Sequence, residues 1–289
     1  ELEPAAPSPW RRGVVAMSGG VDGTFSMLQH LPGTTARDRC ELVTAMLVHG
    51  LEIPLEAERA FELATENAAA ITAQANLPLA LVRTDWRQNF SLAWEDDFCT
   101  GLAACLNLFS GTTSCGLLGS DEDYAHLAFP WGSNAITNPM MSSDRFRIIT
   151  VGGAAGRSAK VAEIARHEGI AKHLRVCWRA AETGKNCGRC EKCVRTKLNF
   201  LVNGVEPPAA LGAVPGVRDV LALSAQSATA ISYLVDVRDA ARSGKLSPGM
   251  RLAVQACLAK NRLLLPFRGW RRALRRVFRW FTPWRKKRP

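Results

Sequence analysis

Residues 14–24, Val14-Val15-Ala16-Met17-Ser18-Gly19-Gly20-Val21-Asp22-Gly23-Thr24, decide the fold of this chain. The four apolar residues predict a short buried strand, which the Ser-Gly-Gly turn ends before a helix predicted over residues 21–30. Glycines let backbone amides approach a phosphate closely, and the helix adds unpaired N–H groups and the positive end of its dipole. Asp22 supplies a carboxylate where a phosphate-bound Mg²⁺ would lie. The stretch therefore predicts an anion site; the alternative is an ordinary strand-to-helix turn.

Four cysteines have the spacing of metal ligands. They follow the pattern C-x9-C-x2-C-x2-C and are Cys177, Cys187, Cys190 and Cys193. Two-residue gaps let successive thiolates reach one tetrahedral centre, and a fourth thiolate from a preceding loop closes the shell. Because sulfur then fills every position and leaves none for water, the pattern predicts a structural Zn²⁺ ion. The alternatives are a disulfide pair or unrelated core cysteines.

Apolar runs alternate with helical patterns over the first 170 residues. Strands are predicted at residues 13–17, 42–48, 79–82, 114–118 and 147–151. Helices are predicted at residues 56–76, 92–109 and 158–167. This alternation predicts an α/β protein with a doubly wound, mostly parallel sheet and helices on both faces. In such sheets ligands bind at the carboxyl ends of the strands, which is where the Ser-Gly-Gly turn lies.

The turn and the cysteine pattern together resemble the PP-loop ATP pyrophosphatases of the HUP superfamily, and within them the branch of the 7-cyano-7-deazaguanine synthases and their relatives. The resemblance covers residues 13–204, about two thirds of the chain. It implies a HUP-type doubly wound sheet and ATP that is split between its α and β phosphates. A substrate oxygen is adenylated in that reaction before a nitrogen nucleophile displaces AMP.

The resemblance also implies roles for the residues of the turn. It places the nucleotide phosphates and their metal on Ser18, Gly19, Gly20, Val21, Asp22, Gly23 and Thr24. The family has Ser where this chain has Gly23, so one phosphate-binding hydroxyl is missing. Either the hydroxyl of Thr24 compensates for it, or catalysis is weakened.

A second glycine-rich loop, residues 152–156, leads into a helix that starts near Arg157. Its spacing is one residue short of a Walker A loop, and Arg157 replaces the lysine. The resemblance places this helix start near the phosphates or the substrate. Arg157, Ser158 and Lys160 are therefore predicted site residues, with Arg157 and Lys160 in catalytic roles beside Asp22. The alternative is a turn in which Ser158 only caps the helix.

His49 ends the second predicted strand, where its ring would face nucleotide or substrate. We include it as a nucleotide-binding candidate. The alternative, a capping or packed histidine, is the more frequent role for such a residue.

These features predict a ligase or amidase-type enzyme that binds ATP and Mg²⁺, adenylates a carboxylate or amide oxygen, and releases AMP and pyrophosphate. The acceptor would be a small-molecule or conjugated acid. Nitrogen would come from free ammonia, an amine substrate or a partner enzyme, because no glutaminase sequence is recognisable here. A homodimer is a further expectation. The alternatives are a PP-loop enzyme that thiolates tRNA, and a degenerate nucleotide-binding module that acts through its basic tail.

The chain divides into four segments by composition. We expect a flexible arm at residues 1–12, the PP-loop-like domain at 13–204 with its cysteine knuckle at 177–193, a helical extension at 205–262, and a basic tail at 263–289. Nine cysteines, four of them spaced as ligands, favour a reducing compartment. No stretch approaches the ~20 uninterrupted apolar residues of a membrane span. We therefore expect a cytoplasmic protein, with a peripheral position at the inner face of the membrane as the alternative.

The positive charge of the chain is concentrated in its tail. The formal net charge is +11, and residues 263–289 hold ten Lys or Arg and no acid, so the remainder sums to +1. Residues 266–280 plot as a helix that begins at Pro266, with an aromatic side and an adjoining arginine side. This pattern predicts that residues 266–288 bind an anionic membrane surface. A helix docked on the body fits the pattern equally well, and nucleic acid is the least favoured alternative.

Overall fold

The computed structural model describes residues 11–34, 39–127, 129–179, 183–225, 227–243 and 245–281, with side chains through residue 267. Five strands form one parallel sheet, ordered β3-β2-β1-β4-β5. They are β1 Arg12–Ala16, β2 Glu41–His49, β3 Leu79–Arg83, β4 Cys115–Gly119 and β5 Arg147–Val151. The chain order reverses between β1 and β4, which makes their carboxyl ends the topological switch point where α/β sheets bind ligands.

The described residues also form ten α-helices. They are α1 Val21–Gln29, α2 Glu58–Ala73, α3 Trp86–Asn89, α4 Trp94–Asn107, α5 Arg157–Ala165, α6 Glu168–Ala171, α7 Glu191–Val202, α8 Val217–Ala222, α9 Ala228–Ala240 and α10 Pro248–Phe281. The predicted α/β fold with a parallel sheet is confirmed, and each strand matches its prediction within one residue at either end. Residues 1–10 of the predicted arm lie outside the described residues, whereas Arg12 begins β1.

Neighbouring residues of β1 supply the cores on the two faces of the sheet, because successive side chains of a strand point to opposite sides. Val15 packs beneath α1, α2 and α5, in one buried cluster with Ile71 and Val161. Val14 lies in the other cluster, with Leu106 of α4 and Phe146. The sheet is therefore covered by helices on both faces, as the sequence predicts.

A third core joins the helical extension to the rest of the chain. Val194, Leu198 and Val202 of α7 share one buried cluster with side chains of α8, α9 and α10, including Leu234 and Val254. The opposite side of α7 contributes Cys193 and Phe200 to the core beneath the sheet. The extension thus packs on a helix that belongs to both cores.

Helix α10 differs from its prediction at its beginning. It runs for 34 residues, and Pro266 lies inside it instead of at its first position. Proline removes one intrahelical N–H donor, but the helix is already established by the turns that pack on α8 and α9. Along the described chain, no helix has the length and apolar character that crossing a membrane requires.

Candidate functional site

The turn after β1 leaves the first amides of α1 uncovered. Gly19 has a φ of +77°, a left-handed conformation that disfavours a side chain. Gly20 precedes α1 in an extended conformation, and no described side chain caps that helix. The exposed Ser18 accepts a hydrogen bond on its Oγ from the Gly20 N–H at 3.4 Å. Because uncapped first-turn N–H groups attract anions, this end of α1 has the geometry of an anion site.

Two glycines let α1 approach the sheet closely. A Cβ on Gly23 would lie 2.6 Å from the carbonyl oxygen of Ala16, and one on Gly119 would lie 2.5 Å from the carbonyl group of Asp22. The Ser that the resembling family carries at position 23 therefore does not fit unless the backbone moves. Glycine at position 23 lacks that hydroxyl but lets α1 pack directly against β1 and β4.

Thr24 does not compensate for that hydroxyl, which corrects the prediction. Its side chain is fully buried, and its Oγ1 donates to the sulfur of Met17 at 3.9 Å. Val21 is also buried in the core. Residues three and seven apart share one helix face, so Val21, Thr24 and Leu28 all face the interior.

Asp22 is the centre of a buried ion-pair cluster. Its Oδ2 accepts hydrogen bonds from both Nη atoms of Arg157 at 2.9 Å, and its Oδ1 lies 3.2 Å from Lys160 Nζ. The side chains of Arg157 and Lys160 are 5% and 1% exposed. Burial raises the pKa of Asp22, but the two cations outweigh it and hold the pKa below its usual range. The structure thus brings the three predicted catalytic residues into contact.

Asp121, which follows β4, lies beside this cluster. Its Oδ2 accepts a hydrogen bond from Trp131 Nε1 at 2.9 Å. Burial and the neighbouring charge of Asp22 raise the pKa of the Asp121 carboxyl. Lys160 Nζ also donates to the carbonyl oxygen of Ser120. Two carboxylates at the switch point are the kind of oxygen ligands that a divalent cation takes.

The helical extension contributes Tyr233 to the same cluster, a residue that sequence analysis missed. The guanidinium carbon of Arg195 lies 3.8 Å from the ring centroid of Tyr233, and that of Arg157 lies 5.2 Å from it. Burial raises the pKa of Tyr233, so the hydroxyl stays neutral. No motif marks this residue, because its position in α9 has the pattern of ordinary helix packing.

Asp236, also on α9, occupies the start of α5. Its Oδ2 accepts hydrogen bonds from the backbone N–H of Ser158 at 2.8 Å and from its Oγ at 2.6 Å. A Cβ on Gly156 would lie 2.2 Å from Asp236 Oδ1, so this glycine makes room for the carboxylate. The hydroxyl and the N–H of Ser158, which we predicted to bind nucleotide, both donate to Asp236 in this structure.

Arg175, next to the turn, is a buried cation that sequence analysis missed. Its side chain is 2% exposed, its Nε donates to the Ser18 carbonyl at 3.3 Å, and its Nη2 donates to Glu52 at 2.8 Å. The backbone N–H of Arg175 also donates to the Gly19 carbonyl at 2.8 Å. Its Nη1 is buried and has no hydrogen-bond partner among the described residues. The Ser-Gly-Gly turn is therefore braced by a guanidinium group with an unused donor.

His49 does not join the site. Its ring stacks on Phe61, with centroids 4.1 Å apart, and its Nε2 lies 2.9 Å from the carbonyl oxygen of Pro54. The side chain is 1% exposed. These contacts with α2 and the loop before it replace the predicted nucleotide contact, and His49 is a packed histidine.

The four predicted metal ligands meet. The sulfur atoms of Cys177, Cys187, Cys190 and Cys193 all lie within 4.8 Å of one another. A tetrahedral ZnS4 centre with bonds of about 2.3 Å has sulfur atoms about 3.8 Å apart. The distance from Cys177 Sγ to Cys190 Sγ is 3.6 Å. The group could therefore hold a metal ion such as zinc.

The backbone around the cysteines is fixed by Asn186. Its Oδ1 accepts hydrogen bonds from the N–H groups of Val176 and Cys177, and its Nδ2 donates to the carbonyl of Leu174. Hydrogen bonding from Cys193 holds the pKa of Cys190 down to about 4. The same hydrogen bond, together with burial, raises the pKa of Cys193.

Comparisons of the chain with family models, curated proteins and solved structures give no match. The class of the protein therefore follows from its fold and site alone. It is an α/β protein with a five-stranded parallel sheet, a buried ion-pair cluster at the carboxyl edge of that sheet, and a four-cysteine group suited to a metal ion.

Proposed function

We propose that this protein binds ATP at the switch point and splits it into AMP and pyrophosphate while adenylating a carboxylate or amide oxygen. Ammonia or an amine would then displace AMP, as in a C–N ligase similar to the 7-cyano-7-deazaguanine synthases. The convergence of Arg157 and Lys160 on Asp22, beside the uncapped start of α1, carries the proposal. It joins cations, open amides and a carboxylate at the edge of the sheet where such folds bind ligands.

The cations would be shared between Asp22 and the phosphates. In the structure, Asp22 forms ion pairs with both Arg157 and Lys160. A triphosphate carries more negative charge than one carboxylate, so it would draw Arg157 and Lys160 towards itself and release the Asp22 oxygens. The unused Nη1 donor of Arg175 lies behind the same turn. These buried cations would stabilise the charge that develops on the leaving pyrophosphate, the largest contribution that such a site makes.

The released carboxylate would serve a divalent cation. Asp22 and Asp121 are close enough that the charge of Asp22 raises the pKa of Asp121, and such a pair of carboxylates fits Mg²⁺. Mg²⁺ held by these two carboxylates would neutralise part of the charge of the phosphates. In the four-cysteine group we propose Zn²⁺ with a structural role, because four thiolates leave no ligand position open for chemistry.

A nucleotide-binding module without turnover is the second candidate. Both carboxylate oxygens of Asp22 already accept hydrogen bonds from the buried cations Arg157 and Lys160. This favours the second candidate, because neither oxygen is left for a metal ion. Sulfur transfer to tRNA needs a reactive thiol near the nucleotide. The positions of Cys99 and Cys115, which lie outside the four-cysteine group, disfavour that reaction. Cys99 is buried and its pKa is raised to about 12 by that burial, while Cys115 begins β4 at the opposite edge of the sheet.

Titration calorimetry with ATP and Mg²⁺ tests the binding step. Lys160→Met should weaken ATP binding by about 1.5–3 kcal/mol, roughly ten- to a hundredfold, because it removes one charge-assisted contact. Lys172→Met, at an exposed position after α6, is the control that loses the same charge and should bind as the parent does. Equal ATP affinity of the Lys160 variant and the parent would overturn the phosphate site.

Product analysis separates the two candidates. The purified protein is incubated with ATP, Mg²⁺, ammonia and a panel of carboxylic acids, and AMP, ADP and pyrophosphate are quantified. AMP and pyrophosphate in equal amounts support the ligase. ATP binding without pyrophosphate from any acid supports the non-catalytic module, and ADP formation contradicts the proposed bond cleavage.

A further inference from the structure

Helix α10 leaves the body of the protein shortly after Asn261. Leu258 and Asn261 are buried against the neighbouring helices. Immediately beyond them Leu263 is 72% exposed and Phe267 is 66% exposed, while the helix continues to Phe281. The segment 262–281 of α10, called here the distal helix, is about 30 Å long. Its described beginning, up to Phe267, presents apolar side chains to solvent.

The sequence of the distal helix separates two kinds of side chain. Between Phe267 and Phe281 only Trp280 lies apart from the other large apolar residues, which share one side: Phe267, Trp270, Leu274, Val277, Phe278 and Phe281. The basic residues are Arg268, Arg271, Arg272, Arg275, Arg276 and Arg279. At about 100° per residue, the apolar positions span an arc of about 100° and the arginines an adjoining arc of about 140°. From Phe267 to Phe281 the helix therefore has an aromatic face and a cationic face.

Charge decides which partner suits these two faces. A second copy of the chain would bring the arginine arcs of two helices close together, and like charges repel. An RNA strand is held by aromatic groups interleaved with cations so that bases stack between phosphate contacts. Here the aromatic residues are segregated from the arginines. Segregation suits a planar boundary that is anionic on one side and apolar on the other.

We propose that the distal helix lies in the plane of an anionic lipid membrane, with its aromatic face in the acyl boundary and its arginines at the lipid headgroups. The absence of a membrane-spanning helix from the described residues agrees with a position in the surface plane. The inference is independent of the ATP site, since it rests on α10 alone. It makes the protein a peripheral one whose body, with a net charge near neutral, is held at the surface by one helix.

Vesicle co-sedimentation of the full chain tests this inference. Vesicles of phosphatidylcholine with about one third phosphatidylglycerol should bind the protein at least about tenfold more tightly than phosphatidylcholine alone. Salt at about 0.5 M should weaken that binding. The double change Arg271→Glu with Arg275→Glu should lower the affinity about tenfold or more. Trp270→Ser with Phe278→Ser should also lower it, because the aromatic face supplies the insertion.

A matched control is available on the body. Arg59 on α2 and Arg166 directly after α5 are 74% and 75% exposed, and Arg59→Glu with Arg166→Glu makes the same change in net charge. This variant should keep nearly the parent affinity for the vesicles. Equal losses for the control and the distal-helix variants would overturn a specific helix contact. Binding to single-stranded RNA without binding to anionic vesicles would overturn the membrane assignment in favour of nucleic acid.

Discussion

The carboxylate of Asp236 accepts hydrogen bonds from both the N–H and the hydroxyl of Ser158, at 2.8 and 2.6 Å. This contact ties α9 of the helical extension to the first turn of α5. Arg157 and Lys160 leave α5 from that turn to reach Asp22. The placement of the two cations therefore depends on a helix that the sequence gives no reason to connect with them.

Replacing Asp236 should destabilise the protein through the loss of this cap. Asp236→Ala should lower the free energy of unfolding by about 1–2 kcal/mol, measured by urea denaturation. Asp236→Asn should lower it less, since the amide oxygen still accepts. Asp239 is on the same helix and forms ion pairs with Arg238 and Arg242, and its side chain is 38% exposed. Asp239→Ala should therefore lower the free energy of unfolding by under about 0.5 kcal/mol. Equal effects at the two positions would contradict the capping role.

Serine at position 23 should weaken the fold. Gly23→Ser places a Cβ 2.6 Å from the Ala16 carbonyl oxygen, so the helix or the strand must shift. We expect a loss of about 1–3 kcal/mol in the free energy of unfolding. Gly249→Ala is the control, because a Cβ there meets nothing within 4 Å and the residue lies in a helix. A variant at position 23 as stable as the parent would show that α1 is not held against β1.

The ion pairs of Asp22 should make the free energy of unfolding depend on pH in the acidic range. The pKa of Asp22 in the folded state lies below its ordinary value of 3.8, so its contribution is present above about pH 4 and is lost as the pH falls. At pH 7 we expect Asp22→Asn to lower the free energy of unfolding by about 3 kcal/mol, because two buried cations lose their partner. The difference from the parent should shrink between about pH 4 and pH 2.

Glu62→Gln provides the comparison for that pH series. Glu62 forms an ion pair with Arg59, and both side chains are more than half exposed, so its loss should change stability by under about 0.5 kcal/mol. A constant difference between Asp22→Asn and the parent from pH 7 to pH 2 would show that the carboxylate charge contributes nothing to folding.

The four-cysteine group should contain metal in the purified protein. Elemental analysis should find about one zinc ion per chain, which matches one set of four ligands. Cys190→Ser should lose the metal and lower the free energy of unfolding by about 3 kcal/mol or more, because metal binding is coupled to folding. Cys257→Ser, at a buried cysteine outside the group, should keep the zinc. Fresh protein without stoichiometric metal would refute the assignment.

The regular elements could be predicted because their patterns are local. Val14 and Val15 already show a strand buried on both faces, and the three closely spaced cysteines mark one knuckle. The environments of Thr24 and His49 could not be predicted, because each depends on which helix face or neighbouring ring the chain meets in three dimensions. Tyr233 was missed for the same reason, since no sequence spacing connects it with the turn after β1.

Because α7 lies in both the sheet core and the core of the extension, the protein should have no separable halves. A chain shortened after Gly204 would expose Leu198 and Val202 to water along one side of a helix whose first residues carry the metal ligands. Heating should accordingly melt the sheet and the extension in a single cooperative step.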